Sequence, residues 1–149
     1  MVESRPGPIG VGADHAGRAL KEQLKARLAA RGFSVRDFGT DADTSCDYAD
    51  FAHAVARALA SGEFDRALLV CGTGVGMAMA ANRHVGVRAV VCSDVFSARM
   101  ARQHNDANVL CLGARVVGSG LAEDLLDAFL RASFEGGRHE ARVLKIEPT

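Results

Sequence analysis

Ala67-Leu68-Leu69-Val70-Cys71-Gly72-Thr73-Gly74-Val75-Gly76 is an unbroken apolar run that ends in a glycine-rich turn. A short apolar run with no polar alternation reads as a strand covered on both faces. A turn leading straight into a helix makes it the strand of a parallel sheet. The pattern repeats on either side. Pro8 to Ala13 reads as a first strand, ended by Asp14-His15-Ala16-Gly17. Arg18 to Arg31 turns helical: Leu20, Leu24 and Leu28 recur every fourth position, with Lys21, Glu22 and Lys25 on the other face and Gly32 as the stop. Phe33 to Phe38 alternates, as a half-exposed edge strand does. A polar loop, 39–47, precedes a second helix marked by Phe51, Val55 and Leu59.

Downstream, a third helix runs to about Asn82, Val87 to Cys92 forms a strand, and a helix spans about Val95 to Gln103. Asn108 to Leu112 is a fifth strand, and Leu121, Leu125 and Phe129 line one face of the next helix. Five strands alternating with helices predict an α/β fold: a single Rossmann-like three-layer α/β/α domain with a five-stranded, mostly parallel sheet. The domain is expected to span residues 1–149, with 1–7 as a loose leader and 136–147 as a C-terminal helix and tail.

Composition narrows the function. The chain has 149 residues, 48% hydrophobic, which supplies one sizeable core and little for a second. Lys and Arg total 18 and Asp and Glu total 18, so the balance argues against a nucleic-acid or anionic-membrane binder. Trp is absent and aromatics are scarce, so a base-stacking platform is poorly supplied. Cys46, Cys71, Cys92 and Cys111 form no C-x-x-C pair and have no zinc spacing with histidine. Cys92 and Cys111 end apolar runs and read as buried free thiols. With no apolar leader and no membrane-length run, the expectation is a cytoplasmic protein in a reducing compartment.

Ligands of such sheets bind beyond the carboxyl ends of the strands. That rule nominates Asp14 and His15, Cys71 with its glycine loop, and Ser93 with Asp94. The loop is neither of two common nucleotide motifs: Met77 stands where a dinucleotide fingerprint needs glycine, and no Gly-Lys-Ser/Thr follows. Met77 also stands where a cysteine-phosphatase loop needs arginine. The glycine density favours an anion-binding loop at a helix N-terminus. Cys71 there is either a packed thiol or one activated by the helix dipole, able to act as nucleophile or general base. Gln103-His104-Asn105-Asp106-Ala107-Asn108 is a second polar cluster. Its His104 is placed at the ligand rim and can exchange a proton near neutral pH. Arg138 and Arg142, spaced i,i+4, share a helix face suited to a phosphate or carboxylate, or else are solvated with Glu140 as local partner. Arg115 follows strand five. His53 and His84 read as solvent-facing.

Six segments in order carry a family likeness: Gly12 to Gly17, Asp47-Tyr48, Cys71 to Gly76, Arg102 to Asp106, Gly113 to Gly118 and Glu135 to His139. From about Ile9 to Val143 the chain resembles the B-type ribose-5-phosphate isomerases, with their allose- and galactose-phosphate isomerase relatives. The resemblance implies aldose–ketose isomerisation of a small phosphorylated sugar, with no metal and no cofactor. It implies Cys71 as the base that moves a proton between C2 and C1, and His104, assisted by Asp14, as the group that opens the sugar ring. It implies Thr73 and Gly72, Gly74, Val75 and Gly76 around the oxyanion, and Asp14, His15, Tyr48 and Asn105 around the sugar. Arg115, Arg138 and Arg142 match phosphate-binding positions. It also implies a homodimer or homotetramer with the site at the subunit interface, and no nucleic-acid or membrane partner. Allose 6-phosphate, galactose 6-phosphate and erythrose 4-phosphate are alternative substrates. A non-catalytic doubly wound module with Asp14 as phosphoacceptor is the alternative class.

Overall fold

In the computed structural model, which describes residues 6–148, every strand pairing is parallel. The strands are β1 (Ile9–Ala13), β2 (Val35–Asp37), β3 (Arg66–Cys71), β4 (Ala89–Val91) and β5 (Val109–Gly113). The helices are α1 (Arg18–Ala30), α2 (Tyr48–Ala60), α3 (Val75–Ala81), α4 (Val95–Asn105), α5 (Ser119–Arg131) and α6 (Glu140–Leu144), with a 3₁₀ turn at Gly137–His139 before α6. The expected leader lies outside the described residues except for Pro6 and Gly7, which are exposed and irregular. The C-terminal tail is a 3₁₀ turn and five helical residues, and Gly86 N–H donates to Glu147 Oε1 at 2.8 Å. No helix among the described residues is long and apolar enough to cross a membrane.

The sheet order is β2-β1-β3-β5-β4. The chain leaves β1 toward one side for β2, then crosses to the other side for β3. The crevice beyond β1 and β3 is therefore the switch point where ligands of doubly wound sheets bind. The two short strands, β2 and β4, are the edges, so the half-exposed alternation of Phe33 to Phe38 is accounted for.

Two cores sandwich the sheet. On one face Leu20, Leu24 and Leu28 of α1, Ala98 and Ala101 of α4, and Leu125, Leu126 and Phe129 of α5 bury Val11, Leu68, Val70, Leu110 and Leu112. On the other, α2 and α3 bury Leu69, Cys71, Val109 and Cys111 beneath Val55, Leu59 and Met77. Consecutive side chains of a buried strand point to opposite faces, so each strand feeds both cores. The α1 layer approaches closely at Gly17, where a Cβ would lie 2.2 Å from the Val70 carbonyl oxygen.

Three expectations are corrected. Lys21 is not on the solvent face of α1; it is fully buried, its ammonium paired with Asp37. Leu121 is 38% exposed, and the buried stripe of α5 runs through Ala122, Leu125, Leu126 and Phe129 instead. His53 and His84 are not simply solvated. Both are half-buried, and His53 Nδ1 lies 2.8 Å from His84 Nε2, joining α2 to the turn after α3. At that distance one nitrogen must carry the hydrogen and the other accept it.

Two outcomes follow from this packing. Gly17→Ala places a methyl against backbone that cannot rotate away and should cost about 1–3 kcal/mol, read as a lowered Tm. Burial, His53 and Arg57 hold His84 below the ordinary histidine value. The unfolded chain then binds the proton more readily, so stability rises with pH between that depressed value and about 6.5. His84→Gln should flatten the Tm-versus-pH slope in that window; an unaltered slope would place its origin elsewhere.

Candidate active site

Asp14 and His15 follow β1 directly. Asp14 is buried, and its Oδ1 accepts the Gly17 N–H at 3.0 Å, which closes the turn that starts α1. His15 is half-buried. Its Nδ1 accepts the backbone N–H of Cys46 at 3.2 Å, and Cys46 Sγ lies 3.9 Å from the same nitrogen. The polar loop 39–47, to which the sequence assigned no role, therefore lies against a site residue. An N–H donated to Nδ1 leaves the ring hydrogen on Nε2.

Cys71 ends β3 and is buried, and Gly74 N–H donates to its Sγ at 3.0 Å. Gly74 has φ +80°, and a Cβ there would lie 3.0 Å from the Leu112 backbone, so this turn accepts only glycine without strain. Thr73 is exposed, and its Oγ1 accepts the Val75 N–H at 3.3 Å. The helix that follows is seven residues long. Donors at this loop are therefore individual amides more than a long helix dipole. Tyr48, at the start of α2, lies over the loop: a Cβ on Gly76 would fall 2.5 Å from its ring. Arg115, after β5, reaches the same loop, with Nη1 3.3 Å from where a Cβ of Gly72 would sit. Asp94 was nominated with Ser93 at this edge, but its carboxylate accepts Ser97 N–H at 2.7 Å as the N-cap of α4.

Cys92 and Cys111 are buried in the core. Burial and Asp94 push Cys92 up to about 11. Burial, with Cys71 and Cys92 adding to it, pushes Cys111 up further. Both are packed core thiols, as their apolar runs predicted.

His104 is not at this rim. It lies in the last turn of α4, and α4 runs back from the carboxyl ends of the strands to their amino ends. Asp106, Ala107 and Asn108 lead into β5 there, with Asn108 N–H and Val109 N–H donating to Arg88 O before β4. A five-residue strand spans on the order of 15 Å, so one chain cannot bring His104 to Cys71. The placement failed because the turn joins a helix to a strand, whereas the ligand rim is built from strand-to-helix turns.

The polar cluster separates into two parts. Asp106 adopts φ 47° and its carboxylate takes Arg88 Nη2 at 2.9 Å and Arg102 Nη1 at 3.0 Å. Asn108 accepts Arg88 N–H at 2.7 Å and donates to Gly86 O at 2.8 Å. These residues hold the turn. His104 and Asn105 remain available beside the C-terminal tail, where Glu135 N–H donates to Gln103 O at 3.0 Å. His139, buried, stacks on His104 with centroids 4.2 Å apart and planes 10° apart. Glu135 Oε2 lies 3.5 Å from His139 Nε2 and 3.9 Å from His104 Nε2. Burial, His104 and Arg138 hold His139 below its ordinary value. The three side chains could offer a metal three donor atoms within 4.8 Å. Nearly parallel rings, however, do not aim two in-plane lone pairs at one ion. Sequence reading assigned neither Glu135 nor His139 a role, although both stand in the Glu135-Gly136-Gly137-Arg138-His139 segment. Arg138, in the 3₁₀ turn, and Arg142, in α6, are exposed on this same tail.

The expected residues thus form two groups. Asp14, His15, Tyr48, Cys71 to Gly76 and Arg115 gather at the carboxyl edge, and His104, Asn105, Arg138 and Arg142 gather toward the amino edge.

Residues 9–146 match the family described as Ribose/Galactose Isomerase. The chain is 52% identical over 138 residues to ribose-5-phosphate isomerase B of Escherichia coli (strain K12), covering 93% of each. It is 42% identical over 139 residues to the D-erythrulose-4-phosphate isomerase of Pectobacterium atrosepticum, covering 93% of this chain and 91% of that one. Among solved structures it matches ribose-5-phosphate isomerase B of Clostridium thermocellum with TM-score 0.92 and 52% identity, covering 93% and 94% of the two chains. The match takes in the glycine loop, the Asp14–His15 turn and the arginine-bearing tail, and the chain belongs to the Ribose/Galactose Isomerase family.

Proposed function

We propose that this chain is one sugar-phosphate isomerase domain that interconverts ribose 5-phosphate and ribulose 5-phosphate through a cis-enediolate. The observation that carries the reading is the meeting of Cys71, Asp14, His15, Tyr48 and Arg115 at one strand crevice. His104, assisted by Asp14, opens the sugar ring. The Cys71 thiolate removes the proton from C2, and the C–H electron pair becomes the C1=C2 double bond as negative charge moves to O1. Donors preset around that oxygen lower the barrier most; Thr73 and the amides of Gly72 to Gly76 fill this part. Cys71 returns the proton to C1, and the O2 hydrogen passes to O1, leaving the ketose. Arg115, Arg138 and Arg142 hold the phosphate away from the reacting carbons and set the register of the sugar.

The separation of the two residue groups supports a homodimer in which one copy's His104, Asn105, Arg138 and Arg142 complete the other copy's Cys71 crevice. Tyr48, Val75 and Met79 leave apolar surface exposed beside the loop, which a second copy would cover. A four-carbon substrate is the second reading, favoured by the likeness to an erythrulose-phosphate isomerase. Comparing kcat/KM across ribose 5-phosphate, erythrose 4-phosphate, allose 6-phosphate and galactose 6-phosphate separates the two.

Cys71→Ala should lower kcat by about 10²–10⁴-fold with the fold intact; retained turnover would remove Cys71 as the base. Mixing Cys71→Ala chains with His104→Asn chains should restore about a quarter of wild-type activity, since each mixed dimer holds one native site. No recovery would refute the shared site. Arg138→Ala should raise KM about tenfold and the double variant with Arg142→Ala further, measured by coupled assay. Tyr48 is the only tyrosine and there is no tryptophan, so ribose 5-phosphate should alter the intrinsic emission on binding.

A further inference from the structure

Lys21 is a residue that neither the catalytic scheme nor the sequence pattern requires to be buried. Its side chain has no exposure. Its ammonium donates to Asp37 Oδ1 at 2.8 Å, to Asp37 Oδ2 at 3.0 Å and to the Thr40 carbonyl at 2.9 Å. Burying a charge is costly unless it is paired and hydrogen-bonded, and here the pairing is complete. A buried ammonium on α1 whose acceptors both lie within residues 37–40 ties that segment to the helix.

Asp37 ends β2, and its Oδ1 also accepts Gly39 N–H at 2.8 Å, while Lys25 donates to its Oδ2 at 2.6 Å. Thr40 is the second residue of the 39–47 loop. Its N–H donates to Ala13 O at 2.7 Å, and Ala13 N–H donates to Gly39 O at 2.7 Å. Ala13 immediately precedes Asp14 and His15. The backbone bonds fasten the root of the loop to the end of β1, and Lys21 clamps the same root to α1. Six residues later the same loop supplies the Cys46 N–H to His15 Nδ1. Arg18, one turn before Lys21, holds the middle of the loop through Asp43 at 2.9 Å, an exposed pair of minor weight.

We propose that Lys21 is a positioning residue: its contacts with Asp37 and Thr40 hold the 39–47 loop so that the Cys46 amide keeps the His15 ring hydrogen on Nε2, directed to substrate. Lys21 touches no reacting atom. It acts through the loop, and the loop acts through one hydrogen bond. The effect on substrate rests on the isomerase reading above; the effect on His15 does not.

The test is ¹⁵N histidine NMR of the full chain, with the His15 signals assigned by their loss in His15→Asn. In the wild type, His15 should show a protonated Nε2 and an unprotonated Nδ1. Asp37→Asn keeps the shape and the Lys21–Thr40 contact but weakens the clamp. It should shift His15 toward a mixture of tautomers and raise KM for ribose 5-phosphate about fivefold while kcat changes less than twofold. Lys21→Met should do the same more strongly. A wild-type His15 with its hydrogen on Nδ1 overturns the proposal without any variant, and this reading decides alone if neither variant folds. A folded Asp37→Asn with wild-type His15 signals and KM also overturns it. Altered His15 signals in a chain that isomerises no phosphosugar would uphold the clamp and refute the isomerase reading.

Discussion

All five strands run in the same direction, and the placement of every candidate site residue depends on that constraint. Parallel pairing sends each strand-to-helix turn to one edge and each helix-to-strand turn to the other. The chain cannot bring residues from the two kinds of turn together within itself. Cys71 and Asp14 follow strands, whereas His104 precedes one. The pairing that builds the core thus divides the candidate site residues between the two edges. Glycine at 74 and 76 serves the first edge by letting the loop lie flat beneath Leu112 and Tyr48. The Asp106 carboxylate serves the second by holding Arg88 and Arg102 together, so that the last turn of α4 presents His104.

Much of this was legible from residue pattern. The strand Ala67 to Cys71 declared itself because a strand buried on both faces has no polar alternation, and β3 lies at the centre of the sheet. The α1 stripe of Leu20, Leu24 and Leu28 was read correctly because three leucines at one spacing overdetermine a face. Lys21 was misread for the same reason: periodicity assigns charge to the solvent side, and nothing local announces that Asp37, sixteen residues on, will meet it. Likewise His53 lies in α2 and His84 in the turn after α3, and only the packing of α2 on α3 joins them.

At the site, strand-end residues were easier to place than helix-end ones. A residue directly after an apolar run inherits its position from the strand. His104 lies in a turn whose polar density resembled a ligand rim, but much of that density is structural. Asp106 and Asn108 hold Arg88 and Arg102, and no spacing rule distinguishes such groups from ones that face a substrate. The pairing of His104 with His139 was hidden because thirty-five residues and a whole strand-helix unit separate them.

The clamp at Lys21 also bears on motion. Lifting the 39–47 loop would take the Thr40 carbonyl from the fully buried Lys21 ammonium and leave Asp37, at the end of β2, as its partner, a cost of about 1.5–3 kcal/mol for a hydrogen bond to a charged group. At that cost the lifted state holds about one molecule in 10–10². The root of the loop is therefore part of the wall of the crevice in all but a small share of molecules.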